Sequence, residues 1–552
     1  MTFEVLPTRV AWHATCEPSI EVRSLPEPGT LHVLHLGEEV AANEVAHDGV
    51  VANDGVVAVG QLAPGGYGIE VRAGQHVART AIEVYDKRPG AMRYGFVSDY
   101  RPDRTVDDVA DNMRRLHLTD VQFYDWAYRH ADLLGGGENY LDALRQPIAL
   151  ATVRALVAAA HRVGANALGY AAVYGVGNDE WPAWEYAALL DPSGKPYALG
   201  DFLRLVDPAD GAWLAHFTGE LRAAADGVGF DGFHLDQYGY PKRAIRADGV
   251  EVSLAESFMS VIAAARTALP SGRLVFNNVN DFPTWRSAAA PQDAVYVEVW
   301  PPHTTLGHLA AVVRRARAAA MEPEAPRPDS VAKRPASKPV VIAAYQHVYR
   351  DATTVEADRA TAFTMATLFS HGATQLLCGE ADRILVDPYY VRNHVVEAST
   401  ADLLKRWYDF SVEQVELLYD PSLHDMTGAL AGAYNDDCDV SFPGVEIREE
   451  PAAGTVWRRI LGAGDRIVVH LINLVGQDDT AWDAPRKPVV DLPGGTLRIR
   501  RTGRRLPTVR VADPDRQAAL RTLPVVADGD HAYVRLPSPY IWQVLVVDQG
   551  VS

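Results

Sequence analysis

A chain of 552 residues exceeds what one compact core holds and predicts several folded units. Hydrophobic residues at 48% and charged residues at 22% are the proportions of an ordinary globular protein, not of a disordered chain, and no uninterrupted apolar run reaches the length of a membrane span. The formal net charge of −19 disfavours nucleic acid and anionic membrane as partners, because both require a basic surface; a neutral or cationic ligand fits better.

Residues 1–90 carry short alternating runs (IEVRSL, TLHVLHL, VVAVGQL, YGIEVRA, ARTAIEVYD) broken by Pro, Gly and Asn/Asp turns, the pattern of a small antiparallel, Ig-like β-sandwich. From Met92 the rhythm changes to strand then helix. RYGFVSDY precedes a helix from Val106 to His117, and VQFYDW precedes one from Leu150 to Val163 whose Val153, Leu156, Val157 and Ala160 share a face. ALGYAAVYG precedes a helix from Trp213 to Ala225, FDGFHLDQYG one from Leu254 to Leu269, and LVFNNVN only the short turn TWRSAA. YVEVWPP leads to a helix carrying Leu309, Val312, Val313 and Ala316, VVIAAYQH to one from Ala360 to Ser370, and TQLLCGE to one from Leu403 to Leu418. This series predicts a closed (β/α)8 TIM barrel over residues 91–420, in a multidomain α/β chain. An open doubly wound sheet is the alternative, but no GxGxxG follows the first strand. The Pro- and charge-rich segment MEPEAPRPDSVAKRPASK, Met321 to Lys338, reads as a mobile loop on the face of the barrel away from the chemistry. Short strands return after it (IVVHLINLVG, GGTLRIRRT, HAYVRLP, YIWQVLVVDQ), and predict a C-terminal antiparallel β-sandwich over residues 421–552.

Cys16, Cys378 and Cys438 are few and far apart, so neither a disulfide framework nor a cysteine metal site is indicated, and no metal or other cofactor is expected. The N-terminus lacks a basic stretch followed by an apolar one, so the chain as written reads as cytoplasmic; a secreted protein met without its leader would look the same.

In a barrel the C-terminal ends of the strands form the active-site rim, and period-two alternation says which side chains point inward. In FDGFHLDQ, Gly232, His234 and Asp236 share one face; in VYVEVW, Tyr296, Glu298 and Trp300 share one face while the valines meet the helices. Asp236 and Glu298 therefore both point inward near the top, from the fourth and sixth strands. Two such carboxylates are the minimum equipment for splitting a glycosidic bond. The nucleophile must stay ionised, with His234 or Tyr238 as the neighbouring donor; the acid must keep its proton, which burial against Trp300 favours. Asp236 is assigned as nucleophile and Glu298 as general acid/base. The pattern also leaves open a structural ion pair between Asp236 and an arginine, with Glu298 at the rim.

Aromatic residues crowd the same rim, among them Tyr124, Trp126, Tyr174, Tyr238, Trp300 and Tyr345. Sugars present C–H faces that stack on such rings. For Tyr94 and Tyr170 core packing and ligand contact remain equally open. Trp181 and Trp184, in the loop GVGNDEWPAWEY, belong to no strand core and read as ligand walls or loop anchors.

With these residues in place the chain resembles glycoside hydrolase family 66, the family of dextranases and cycloisomaltooligosaccharide glucanotransferases acting on α-(1→6)-linked glucans. The resemblance runs in order through RYGFVSDY, QFYDWAYRH, YLDALRQPIALATVRALVAAAHRVGANALGYAAVYG, GFDGFHLDQYG, NNVNDFPTW and YVEVWPP, and extends loosely into both flanking β regions. It implies that the retaining nucleophile falls on Asp236 and the acid/base on Glu298. By the same match the sugar-binding positions include Tyr124, Asp125 and Trp126 in QFYDW, Tyr174 in AAVYG, His234 and Gln237 beside the nucleophile, and Asn277 and Asn278 in FNNVN. The implied covalent β-glucosyl intermediate requires carboxyl groups about 5–5.5 Å apart. The larger cyclising members of the family carry an inserted carbohydrate-binding module, for which no strand-to-helix loop here has room, the longest running from Val176 to Asp207. Hydrolysis of dextran or isomalto-oligosaccharide is thereby favoured over cyclisation, with formation or opening of cyclic isomalto-oligosaccharides as the alternative.

Other readings find less support. A metal-dependent hydrolase needs a ligand cluster such as His-x-His after the first strand, which here ends SDYRPD. A nucleotide site needs a glycine-rich phosphate turn near the last strands. A glucan-binding protein without turnover has no need of both an ionised and a protonated carboxyl across one bond.

Overall fold

The computed structural model describes residues 3–45, 55–321, 337–432 and 435–549. Most of the Pro-rich segment from Met321 to Lys338 lies outside the described residues. Among the described residues no helix is long and apolar enough to cross a membrane.

At the centre is a curled mixed sheet of eleven strands. Its parallel strands are β1 (Tyr94–Val97), β2 (Asp120–Phe123), β3 (Asn166–Ala172), β4 (Gly232–Asp236), β5 (Arg273–Val279), β6 (Ala294–Glu298), β7 (Val340–Ala343) and β8 (Ala373–Gln375). Each pairs with the next in chain order, as in Leu168↔Gly232, Gly232↔Arg273 and Val279↔Glu298. Between them run α1 (Asp107–Arg115), α2 (Leu150–Arg162), α3 (Gly211–Val228), α4 (Leu254–Ala268), the single turn α5 (Thr284–Ser287), α6 (Leu306–Ala320) and α7 (Thr354–Ser370), and α8 (Ala398–Glu413) follows.

The curl follows from the side chains on the inner face. His234 of β4 stacks on Tyr170 of β3 and meets Tyr296 of β6 edge-on at 4.7 Å, and Tyr296 in turn meets Tyr94 of β1 at 6.1 Å. Rings from strands far apart in the sheet touch only because the sheet rolls up around them. On the outer face Phe233 packs against Phe230, and the apolar sides of the helices close over it.

TQLLCGE, expected as one strand, is two: β8, paired with β7, and β9 (Cys378–Gly379), paired with β1 through Gly379↔Phe96. The segment has to change partners, and Leu376 and Leu377, whose amide and carbonyl bond Ile342 and Leu385, make the step. Two short antiparallel strands, Arg383–Ile384 and His394–Val395, extend the sheet beyond β9. The helix expected from Leu403 to Leu418 is α8 plus a separate turn.

Before the central sheet lie a three-stranded and a five-stranded sheet around Val5, Ile20, Leu31, Ile69 and Ile82; after it lie a seven-stranded and a four-stranded sheet with a core of their own. The N-terminal sheets seat on α8. Arg79 reaches the buried Glu413 at 2.9 Å, and Gly66 comes so close that a Cβ there would stand 2.3 Å from the Val412 carbonyl oxygen. The C-terminal sheets dock through Trp542, fully buried against Trp407 and Phe410 of α8 and Phe369 of α7.

Candidate active site

Asp236 is the last residue of β4 and Glu298 the last of β6, and β5 lies between them. Alternation turns Asn277 of β5 to the same inner face. Its side-chain amide donates both hydrogens, one to Asp236 Oδ1 at 2.7 Å and one to Glu298 Oε2 at 2.8 Å. Because both oxygens bond the same nitrogen, they lie within about 5.5 Å of each other. The outer oxygens are held in the same manner. Tyr170 of β3 donates to Asp236 Oδ2 at 2.8 Å, and Tyr345, just past β7, donates to Glu298 Oε1 at 2.8 Å. A chain of hydrogen bonds thus runs across five strand ends, and Asp236 is bonded to Asn277 and Tyr170 and not to an arginine.

Electrostatics couple the pair. Burial first, and the charge of Glu298 second, push the Asp236 carboxyl up to about 7, against the bonds from Asn277 and Tyr170 that lower it. Burial also raises Glu298, opposed by Asn277 and Tyr345. The two carboxyls therefore titrate as a coupled pair and not independently. His234, expected as a possible donor to the nucleophile, is held neutral by burial, which lowers it to about 3, and its Nδ1 bonds the Tyr94 hydroxyl at 3.1 Å. Tyr238, the other candidate, stacks on Tyr174.

The pair opens on a cavity of about 250 Å³. Of the residues singled out from sequence, Tyr124, Asp125, His234, Tyr238, Asn277, Trp300 and Tyr345 line it with Asp236 and Glu298. Asp125 is raised far above the usual carboxylate range by burial and then by the charges of Asp142 and Asp236. Tyr170 lines it too, whereas Tyr94, Trp126, Tyr174, Trp181, Trp184, Gln237 and Asn278 do not. Trp126 is buried and donates to the Tyr170 carbonyl; Tyr174 is buried and bonds Tyr240 and Tyr238; Gln237 spans to the Asn277 and Phe282 carbonyls; Asn278 ties β5 to the Tyr296 carbonyl of β6. Trp181 is half-buried in a single helical turn, and Trp184 in the same turn anchors it edge-on to Trp213 at 4.9 Å. Sequence reasoning missed Tyr389 and Tyr390, which line the cavity from the loop after β9, with Tyr390 stacked on Tyr124 at 4.1 Å. Phe202 and Leu203, from the long loop before α3, also line it. Among the described residues no three His, Cys, Asp or Glu side chains come together as a metal site.

Two neighbouring carboxyls joined by one amide, over a cavity walled by aromatic rings, suit acid–base and nucleophilic chemistry on a carbohydrate. Comparison with known proteins agrees. Over 343 residues, 55% of this chain and 33% of the other, the chain is 25% identical to a cycloisomaltooligosaccharide glucanotransferase of Niallia circulans. It is 29% identical to a dextranase of Streptococcus salivarius over 255 residues, 40% of this chain and 31% of that one. The chain thus spans about a third of the length of the curated relatives it matches. The crystal structure of a Paenibacillus sp. cycloisomaltooligosaccharide glucanotransferase complexed with cycloisomaltoheptaose has the same fold, with TM-score 0.84 at 17% identity over 98% of this chain and 99% of that one. The family model of Glycosyl hydrolase family 66 matches residues 22–546, and the chain belongs to that family.

Proposed function

We propose that this chain cleaves α-(1→6)-glucosidic linkages of dextran or isomalto-oligosaccharides by double displacement, with Asp236 as nucleophile and Glu298 as acid/base. The supporting frame is a closed (β/α)8 barrel over residues 91–420 between an Ig-like sandwich at 1–90 and a second sandwich at 421–552. The observation that carries the reading is the Asn277 amide joining the two carboxyls: oxygens that both bond one nitrogen lie within about 5.5 Å of each other, which suits a retaining mechanism. The names of the relatives, dextranase and cycloisomaltooligosaccharide glucanotransferase, point to the linkage.

Before substrate arrives, burial and the charge of Glu298 favour the protonated form of Asp236. The roles require the reverse. Positive charge growing on the anomeric carbon beside Asp236 draws the negative charge to Asp236 and the proton to Glu298. Glu298 then protonates the leaving oxygen while an Asp236 oxygen bonds the anomeric carbon. That transfer leaves Glu298 ionised, and because the esterified Asp236 no longer carries a charge beside it, Glu298 serves as the base that deprotonates the incoming water, or a sugar hydroxyl if the reaction is transfer.

A time course of products from dextran, linear and cyclic isomalto-oligosaccharides, resolved by chain length, tests the linkage and separates hydrolysis from transfer. Asp236→Ala is expected to be inactive. Glu298→Gln is expected to lose most hydrolysis but to recover on substrates with activated leaving groups, which need no proton. Equal loss on both kinds removes the acid role, and a wild type that binds these sugars without turnover overturns the whole reading.

A further inference from the structure

Trp285, the second residue of α5, is 64% exposed. An indole so exposed is unusual, and this one is not on a loose loop. Asn280 donates from its backbone to the Glu298 carbonyl at 2.7 Å, donates from its side chain to the Pro301 carbonyl at 3.0 Å, and accepts from the Trp300 amide at 3.2 Å. Asp281 pairs with Arg315 at 2.7 Å, and Ser287 bonds the Asn278 side chain. Trp285 itself leans edge-on against Phe282 at 5.6 Å, and Lys242 sits 3.6 Å above that same ring. The turn therefore presents the indole rigidly, at the end of the sheet that carries Asp236 and Glu298, and fastens it to the backbone of Glu298 and Trp300.

Beside it Arg286 and Glu256, both about half exposed and paired at 2.9 Å, offer hydrogen-bonding groups at the level of the ring. One indole among charged neighbours is too small for a protein interface, which buries about 800 Å² on each partner. It is the right size for the C–H face of one or two sugar rings, with the charged rim for their hydroxyls. We infer that Trp285 is a glucan-stacking platform that holds the part of a long α-glucan chain extending outside the cavity. This rests on the proposed substrate class and adds to it a preference for long chains.

The test compares Trp285→Ala and Trp285→Tyr with wild type on dextran and on a short activated isomaltoside that fills only the cavity, whose lining does not include Trp285. Thermal unfolding checks that both variants are folded. For Trp285→Ala the KM for dextran is expected to rise about 5–10-fold with kcat within about twofold, the loss of one stacking contact, while Trp285→Tyr recovers most of it. Kinetics on the short substrate are expected to stay as in wild type. In parallel, retardation in native gels containing dextran is measured on Asp236→Ala with and without Trp285→Ala, and is expected to weaken with the second change. That arm needs no turnover, so it judges the platform even if the catalytic reading fails. An unchanged dextran KM with unchanged retardation overturns the platform, as does equal loss on both substrates. A change of oligomeric state on Trp285→Ala without loss of dextran retardation overturns it too.

Discussion

Replacing Asp236 by Asn is expected to stabilise the protein, and increasingly so as pH rises. The carboxyl is half-buried at the cavity, and its pKa rises from 3.8 to about 7 on folding. A group raised in the folded state gives stability that is complete below the unfolded value and is lost as pH climbs through the folded one, here between about 4 and 7. A shift of about three units at 1.36 kcal/mol each makes the loss about 4 kcal/mol at pH 8. Asn has the same shape, can still accept from Asn277, and can donate to the Tyr170 oxygen, so the substitution removes the charge and leaves the packing intact. The assay is the unfolding midpoint of wild type and Asp236→Asn at pH 4, 6 and 8, by calorimetry, reading the transition of the central unit since a multidomain chain need not unfold in one step. The two proteins are expected to coincide near pH 4 and to separate by about 5–10 °C at pH 8. A difference independent of pH, or a less stable Asn variant at pH 8, would refute the argument, because Asp236 would then be ionised in the folded state on account of its donors.

Asn277→Ala removes the donor that lowers both carboxyls. Both pKa values rise, so the acid limb of kcat/KM against pH should move to higher pH, with kcat at the optimum falling about 10²–10³-fold. Gly66→Ala pushes a methyl to 2.3 Å and 2.5 Å from the Val412 and Glu413 carbonyl oxygens, and is expected to cost about 2–4 kcal/mol by thermal unfolding as the N-terminal sheets lift from α8.

The strand-then-helix rhythm was legible because each unit repeats its own signal. The inward direction of Asp236 and Glu298 was legible for the same reason, since it follows from counting by two. The same count already spoke against Gln237 and Asn278. Each follows an inward residue by one, and each turns into the framework between strands. Tyr170 stayed ambiguous because its hydroxyl meets Asp236 only through the pairing and register of β3 with β4, which no local pattern encodes. The bridging by Asn277 was equally hidden, since it depends on β5 lying between β4 and β6 in a given register. Tyr389 and Tyr390 come from a loop without periodicity; their signal was two adjacent tyrosines after the last strand.

The division of the last parallel segment into β8 and β9 has a mechanical consequence. β9 meets β1 through the Gly379↔Phe96 pairing, at a position where a Cβ would lie 2.1 Å from the Phe96 carbonyl oxygen, and the Glu380 carboxylate beside it accepts from the Ser98 and Asp99 amides at 2.7 Å and 2.6 Å. The chain emerging from that joint carries Tyr389 and Tyr390 to the cavity, and Tyr390 rests edge-on against Phe96 itself. One wall of the cavity therefore leans on the same joint that ties β9 to β1, so a shift of one strand against the other bears directly on Tyr390.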